Sequence, residues 1–516
     1  MRRLFGFAAT AGIAAAACAG SLDERWVFAG DPLLQDEGVG RISNIVHTAK
    51  AGGMNGMLFG CGIDFCKFWP KARFDRLSRI MKVCEDAGIE IIPTMWCLGY
   101  GGLQNYGISL IEGMPVDDVP FVAEGTNAVY DAAHAKVQEL SATSGFQRDG
   151  GYWRMVKKVS VSPNRRYRYS FEFKTEGLTG EQPFKVLAVD ATQPWHERET
   201  IKPDVKPTQD WTPCAIDFNS CDSNAFYLYI GYMSGRKAGD FKLRNVKLAE
   251  IAPTQVLQRP GAPRVLRNAA TGETYEEGRD YVVPKIRYPV TRLDWPMVQL
   301  ALPPGSRVKQ GDRLLFSCYA PAVANGSQVT MCPSEPKLYE AFEDSAARIE
   351  RTMHPKKWFI SADEFRNGGT CAACRARGMT VGEMYADCIT KAYNAIQKAH
   401  PGAEVYIWSD MLDPNHNAVK HYYNCSSSFE DSWKGVPKEL IICCWYGEKA
   451  DISMPFFSSH GFRTLAAAYY DEKPPFKRSR KQRDVVLRTE GARGIMYTTW
   501  RKSYDDLPAF CEMLKE

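Results

Sequence analysis

The sequence predicts an α/β chain: a (β/α)8 TIM barrel interrupted after its third strand by an antiparallel β-sandwich. Three observations carry that expectation. Apolar strand-like runs alternate with amphipathic helical patterns over residues 23 to about 115, a long stretch of β character follows, and the alternation resumes after about residue 330. Three strands precede the break and five follow it, and eight βα units are what a closed barrel needs. The runs are apolar throughout, as a parallel sheet covered on both faces requires. An open doubly wound sheet would want a Gly-rich phosphate loop after the first strand, and residues 29–40 are not one.

In chain order, residues 25–31 read as the first strand and 38–53 as a helix ending in Gly. Residues 54–60 form the second strand, 74–88 a second amphipathic helix with a terminal Gly, and 89–102 a third strand running into a Gly-rich loop. From about 146 to 250 the apolar period is two, with turn residues between the runs, which reads as a jelly-roll type sandwich; β and turn character continues to about 320. Residues 337–354 are helical and 357–364 a strand; 380–402 is a helix opened by Thr380 and Glu383 at capping-box spacing. Strands at 404–410, 440–447, 463–471 and 493–500 and a short C-terminal helix complete the count. The expected domains are a leader over 1–20, barrel over 21–120 and 326–516, and an inserted carbohydrate-binding-like sandwich over 121–325.

Composition narrows the function. The 516 residues are 45% apolar and 24% charged with a formal net charge of +5, which excludes a disordered or collagen-like chain and offers no basic surface for nucleic acid. Arg2 and Arg3 followed by the apolar run Leu4–Ala17 and a small-residue cleavage pattern read as an export signal, hence a periplasmic or extracellular protein; a lipoprotein anchored at Cys18 is the weaker alternative. No other stretch approaches the ~20 apolar residues of a membrane span. Oligomeric state is left open by the sequence. Of the 16 cysteines, Cys61, Cys97, Cys318, Cys443 and Cys444 lie in apolar runs and read as small buried hydrophobes. Cys371 and Cys374 form a C-x-x-C. A local disulfide or two free thiols is the favoured reading, and a zinc knuckle completed by Cys332 or a histidine the alternative. No cofactor and no functional metal is expected.

A barrel places its chemistry at the C-terminal ends of its strands. Those ends carry Trp96, Asp363-Glu364, Trp408 and Asp410, Trp445, Tyr469 to Asp471, and Trp500. Carboxylates among tryptophans suit a sugar-hydrolysing pocket, since indole faces stack on pyranose rings and carboxylates do acid–base work. Two adjacent carboxylates repel and should split their pKa values, so that one holds a proton near neutral pH. Asp410, Asp413 and His416 lack a recognised metal-ligand spacing and read as a loop of turn formers, and the basic run 473–483 reads as the solvated face of a helix. Trp153, Trp195 and Trp211 could form a stacking platform on the β insertion.

On these residues the chain resembles the family-20 β-N-acetylhexosaminidases. Asp363-Glu364 follows strand 4 as that family's Asp-Glu pair does. Trp408, Trp445 and Trp500 match its tryptophan wall, Tyr469 to Asp471 its Tyr-x-Asp, and the strand over 89–102 its Ile-Pro strand with a following Gly. The resemblance spans roughly 23–115 and 330–516. It implies substrate-assisted retention: Asp363 orients a 2-acetamido group, Glu364 is the general acid/base, Tyr469 bonds the acetamido oxygen, and Trp96, Trp408, Asp410, Trp445, Asp471 and Trp500 bind the glycan. The chain departs from the family pattern before the pair (Ile360-Ser361-Ala362), at the end of strand 1 (Ala29-Gly30-Asp31) and after the last Trp, where Arg501-Lys502 could answer an anionic sugar. Two alternatives stand beside this reading. One is a β-glycosidase, of β-galactosidase type for example, with Asp410 or Glu448 as a direct nucleophile. The other is a carbohydrate-binding protein without catalysis.

Overall fold

The structure, a computed structural model, describes residues 20–99, 107–142, 147–148, 154–192, 197–235, 237–285, 296–324 and 328–516. The leader, including Cys18, and the platform candidates Trp153 and Trp195 lie outside the described residues. Among the described residues no helix is long and apolar enough to cross a membrane.

Eight parallel strands form a closed barrel in chain order: β1 (Glu24–Gly30), β2 (Gly56–Gly60), β3 (Glu90–Trp96), β4 (Lys357–Ser361), β5 (Glu404–Trp408), β6 (Ile441–Cys444), β7 (Arg463–Tyr469) and β8 (Ala492–Thr498). The helices are α1 (Asp36–Ala51), α2 (Lys71–Ala87), α3 (Pro336–Met353), α4 (Val381–Ala399), α5 (Ala450–Ser459), α6 (Lys477–Arg488) and α7 (Leu507–Lys515), with a short turn of helix at Ala372–Ala376. The connection from β5 to β6 carries only a 3-10 turn at Ser432–Gly435 in place of a crossover helix. The turn residues of 410–417 open that connection.

The chain divides into two compact units. One comprises the segments ending at Gly60, Asp75–Ile92 and Lys438–Glu516; the other comprises Cys61–Phe74 and Pro93–Pro437. In the first, β1 pairs with β2 and β8, and β7 with β6 and β8. Gly56 is required because a Cβ there would lie 2.5 Å from the buried Trp26 ring. In the second, β4 lies between β3 and β5, pairing Ser361 with Trp96 and Ile360 with Ile407. Helix α4 begins as its sequence dictates. Thr380 Oγ1 accepts the Glu383 N–H at 3.1 Å and the Glu383 carboxylate accepts the Thr380 N–H at 2.7 Å, a reciprocal cap.

Among the described residues, the β segments between Trp96 and Lys357 build two large cores where the sequence suggested one sandwich. Strand Arg166–Gly180 alternates buried and half-buried residues, and its Tyr169, Phe171 and Phe173 join Val186, Phe226, Leu228 and Phe241 in one apolar cluster. That cluster takes side chains from a five-stranded and a four-stranded antiparallel sheet. A separate six-stranded sheet, whose longest strand Gly113–Glu124 crosses the expected boundary at residue 120, has its own core of Val116, Phe121, Tyr281, Leu314 and Phe316. Period-two alternation marks a half-buried strand but does not name its partner, so two sheet systems in series read as one.

The five-stranded sheet is tied to the β5–β6 connection by one buried cation. Arg198 bonds Asp190 at 2.7 Å, the Tyr423 carbonyl at 2.6 Å and Asn424 Oδ1 at 2.7 Å. Removing one partner of a buried pair leaves an uncompensated charge. Arg198→Leu should therefore destabilise the protein by about 3–5 kcal/mol, seen as a clear fall in the midpoint of thermal unfolding followed by circular dichroism. An unchanged midpoint would show that the pair carries no such weight.

Candidate active site

The carboxylate pair lies just past the end of β4, where the chain leaves the strand and turns. Gly99, beyond β3, lets the neighbouring loop lie directly on this turn, since a Cβ at Gly99 would fall 1.9 Å from the Asp363 carbonyl. Asp363 is partly buried and accepts a hydrogen bond from Ser361 Oγ at 3.1 Å. Burial, followed by the charges of Asp410 and Glu364, pushes its carboxyl up to about 7. Glu364 occupies the left-handed region with φ 53°, which a residue with a side chain adopts at a cost on the order of 1–3 kcal/mol. Its backbone N–H donates to Asp410 Oδ2 at 2.9 Å, and its Oε1 meets the Arg366 guanidinium at 2.9 Å. The Glu364 carboxyl is raised mainly by burial; Arg366 opposes the shift and Asp410 adds to it.

Both carboxyls are raised, where adjacency alone predicted that one would stay ionised and the other hold a proton. Asp363 is the carboxyl driven to near neutrality, and the carboxylate that raises Glu364 is Asp410.

Asp410 is fully buried. Its Oδ2 accepts from Asn417 Nδ2 at 3.0 Å as well as from Glu364, and the Asn417 N–H returns to the Asp410 carbonyl at 3.1 Å. It thus supports the turn beneath Glu364 and is closed off as a sugar contact or a direct nucleophile. Glu448, the other nucleophile candidate, is exposed and paired with Arg478 at 3.1 Å. The stretch over 413–417 does form turns, with Asp413 Oδ1 accepting the Asn415 N–H at 2.8 Å. Trp408 is only 4% exposed, packed edge-on against Phe359 with centroids 4.7 Å apart, so it is a core side chain and offers no stacking face. Trp96 is half-buried.

Three contributors escaped the sequence reading. Arg366 is anchored by Gln328 and lies 4.8 Å from the Tyr423 ring centroid. Asn417 was visible only as a turn former. Asp64 is fully buried near Arg73 and the Trp96 backbone N–H, with burial raising its carboxyl to about 8. Arg366 had a sequence signal, its spacing from Glu364; Asp64 had none.

In the other unit, Tyr469, Tyr470 and Asp471 all have positive φ, at 73°, 46° and 58°. Strand alternation therefore ends at Tyr469, and residues 469 to 471 do not continue β7 as an extended strand. Tyr469 is 1% exposed, stacked on Tyr497 at 4.0 Å with its hydroxyl donating to Asp506 at 2.8 Å, so it is a core residue and not a ligand to an acetamido oxygen. Tyr470 is the aromatic that joins the tryptophans. It stacks on Trp445 at 5.9 Å and meets Trp500 at 6.2 Å, and Trp500 is 56% exposed. Asp471 is fixed by Thr499 Oγ1 at 2.5 Å and the Trp500 N–H at 3.3 Å. Tyr470, Asp471, Arg478 and Lys481 line an open depression of about 700 Å³. Arg501 and Lys502 are exposed. On the β insertion, the Arg244 guanidinium sits over one face of the Trp211 ring, 4.4 Å from its centroid.

No protein-family description matches the chain, and no curated protein does. Among solved structures, a glycoside hydrolase family 20 β-N-acetylglucosaminidase is 9% identical over 96% of this chain and 69% of that one, with a TM-score of 0.38. The GH20 β-N-acetylhexosaminidase from Streptomyces coelicolor A3(2) is 11% identical over 37% of this chain and 40% of its own, with a TM-score of 0.24. A CBM4 structure is 13% identical over 29% of this chain and 83% of its own, with a TM-score of 0.17. These likenesses are distant, and the chemistry rests on the site's own residues.

Proposed function

We propose that the protein is an exported glycoside hydrolase acting on β-linked N-acetylhexosaminides from the chain end, with retention through the substrate's own acetamido group. The observation that carries the proposal is the Asp363-Glu364 turn: two raised carboxyls, one pinned by Arg366 and braced from behind by buried Asp410. The acetamido oxygen attacks the anomeric carbon as the glycosidic bond breaks, and the leaving oxygen takes the proton of Glu364. Oε1 is held by Arg366, which leaves Oε2 to deliver that proton. Asp363 accepts the acetamido N–H and stabilises the positive charge that develops on the ring fused at C1 and C2. Water then adds at C1, returns a proton to Glu364 and reopens the acetamido group. Trp96 is proposed as a sugar contact beside the pair; in the other unit the group of Trp445, Tyr470, Asp471 and Trp500 is proposed to meet glycan in its own right, each testable by substitution.

Replacing Glu364 by Gln keeps the shape and removes the proton. Turnover of an aryl N-acetyl-β-hexosaminide with a poor leaving group should fall on the order of 10²–10⁴-fold, and an activated leaving group should recover part of the loss. Retention of full turnover with both leaving groups would sink the assignment.

Asp363 also makes a pH prediction. Its folded-state pKa is raised from 3.8 to about 7, so its contribution to stability is fully present below pH 3.8 and is lost as pH rises through 7. Asp363→Asn should therefore melt higher than wild type above pH 7, with the gap closing toward pH 4, while activity on the N-acetyl substrate falls. The limb near pH 7 in the wild-type kcat/KM profile, which belongs to the coupled pair, should disappear in the variant. A melting difference independent of pH would contradict the raised carboxyl.

A further inference from the structure

Three segments distant in sequence converge outside the carboxylate site. The Glu112 N–H donates to the Thr330 carbonyl at 2.8 Å and the Cys332 N–H to the Leu110 carbonyl at 2.7 Å, which locks residues 110–113 to 330–332. Thr370 Oγ1 donates to the Gly113 carbonyl at 2.7 Å and brings in the C-x-x-C loop. The frame aims four donor atoms at one point. Cys332 Sγ lies 3.5 Å from Cys371 Sγ and 3.6 Å from Cys374 Sγ, and Cys374 Sγ lies 3.2 Å from Glu112 Oε2. All four donors fall within 4.8 Å of one another.

These are the edges of a small tetrahedron. An ion with metal–sulfur bonds near 2.3 Å places its sulfurs about 3.8 Å apart and a carboxylate oxygen about 3.6 Å from each sulfur. The described cysteines form no disulfide. The four side chains are at most 1% exposed, so any charge they carry must be compensated from within.

The surroundings are arranged as an outer shell. Glu112 Oε1 accepts the Cys371 N–H at 2.9 Å and the Gly113 N–H at 3.0 Å, which fixes the carboxylate and turns Oε2 toward the sulfurs. Arg259, 5% exposed, donates to the Ile111 carbonyl at 2.8 Å and places a positive charge beside this anionic set.

We infer that Glu112, Cys332, Cys371 and Cys374 form a closed structural site for a thiophilic divalent cation, zinc by its donor set. Three thiolates and one carboxylate suit a d10 ion that imposes no geometry of its own, and the full burial leaves no open coordination position for catalysis. The ion would pin the first strand of the six-stranded sheet and the segment entering α3 to the loop that leaves Glu364. The site is independent of the hydrolase proposal. The C-x-x-C supplies half of it, and the other half comes from residues that only the fold brings near.

The test is elemental analysis of the purified full-length chain, with Co2+ exchange as a probe of ligand type. One zinc per chain is expected, together with a near-ultraviolet thiolate-to-cobalt absorption and tetrahedral visible bands after exchange. Cys374→Ser and Glu112→Gln should lower metal affinity at least tenfold, whereas Cys214→Ser, outside the cluster, should keep it. Should either variant fail to fold, titration of the wild type with a mercurial decides: zinc should leave in step with three thiols. Substoichiometric metal after incubation with Zn2+, cobalt bands without thiolate character, or a Cys371–Cys374 disulfide in peptide maps would each overturn the site.

Discussion

The bond from the Glu364 backbone N–H to Asp410 Oδ2 is the constraint on which the site rests. Glu364 sits in a left-handed conformation, and a strained residue persists only where its surroundings over-determine it. Asp410 does so from the end of the next barrel strand, fully buried and tied back by Asn417. Arg366 does so from the same loop, through the Glu364 carboxylate. Loss of either grip would let the turn relax, and the Glu364 carboxyl would no longer be presented in one orientation.

That brace extends into the β insertion. Asn367 and Asn424 pair across the parallel bridge that joins the β4 loop to the β5 loop, and Asn424 is in turn gripped by Arg198 from the five-stranded sheet. The insertion therefore supports the loop of the carboxylate pair. The first unit uses the same device separately. Three successive left-handed residues, beginning with Tyr469 at the end of β7, leave Tyr469 in the core and Tyr470 against Trp445 and Trp500.

Much of this was legible. The apolar runs mark the eight barrel strands to within a few residues, and Thr380 with Glu383 names a helix start, because both signals are local. The Asp363-Glu364 pair was legible as a strand-end pair from its place after an apolar strand. What stayed hidden depends on tertiary partners. Alternation could not say that the β stretch holds two cores. It also ends at Tyr469, where φ turns positive. Asp410 looked like a sugar ligand until burial and its bond to Glu364 gave it a supporting role, and Trp408 looked like a wall until Phe359 covered it. Glu112 carries no signal at all in sequence, because its meaning lies in the distant Cys332, Cys371 and Cys374.

In the proposed reaction the substrate's acetamido group, and not a protein carboxylate, is the nucleophile. This is tested most directly by comparing wild-type kcat/KM on paired aryl β-glycosides that differ only in a 2-acetamido or a 2-hydroxyl group. The account requires the N-acetyl sugar to be turned over and the hydroxyl sugar to be essentially inert. Plain β-galactoside or β-glucoside cleaved as fast as its N-acetyl partner would contradict it.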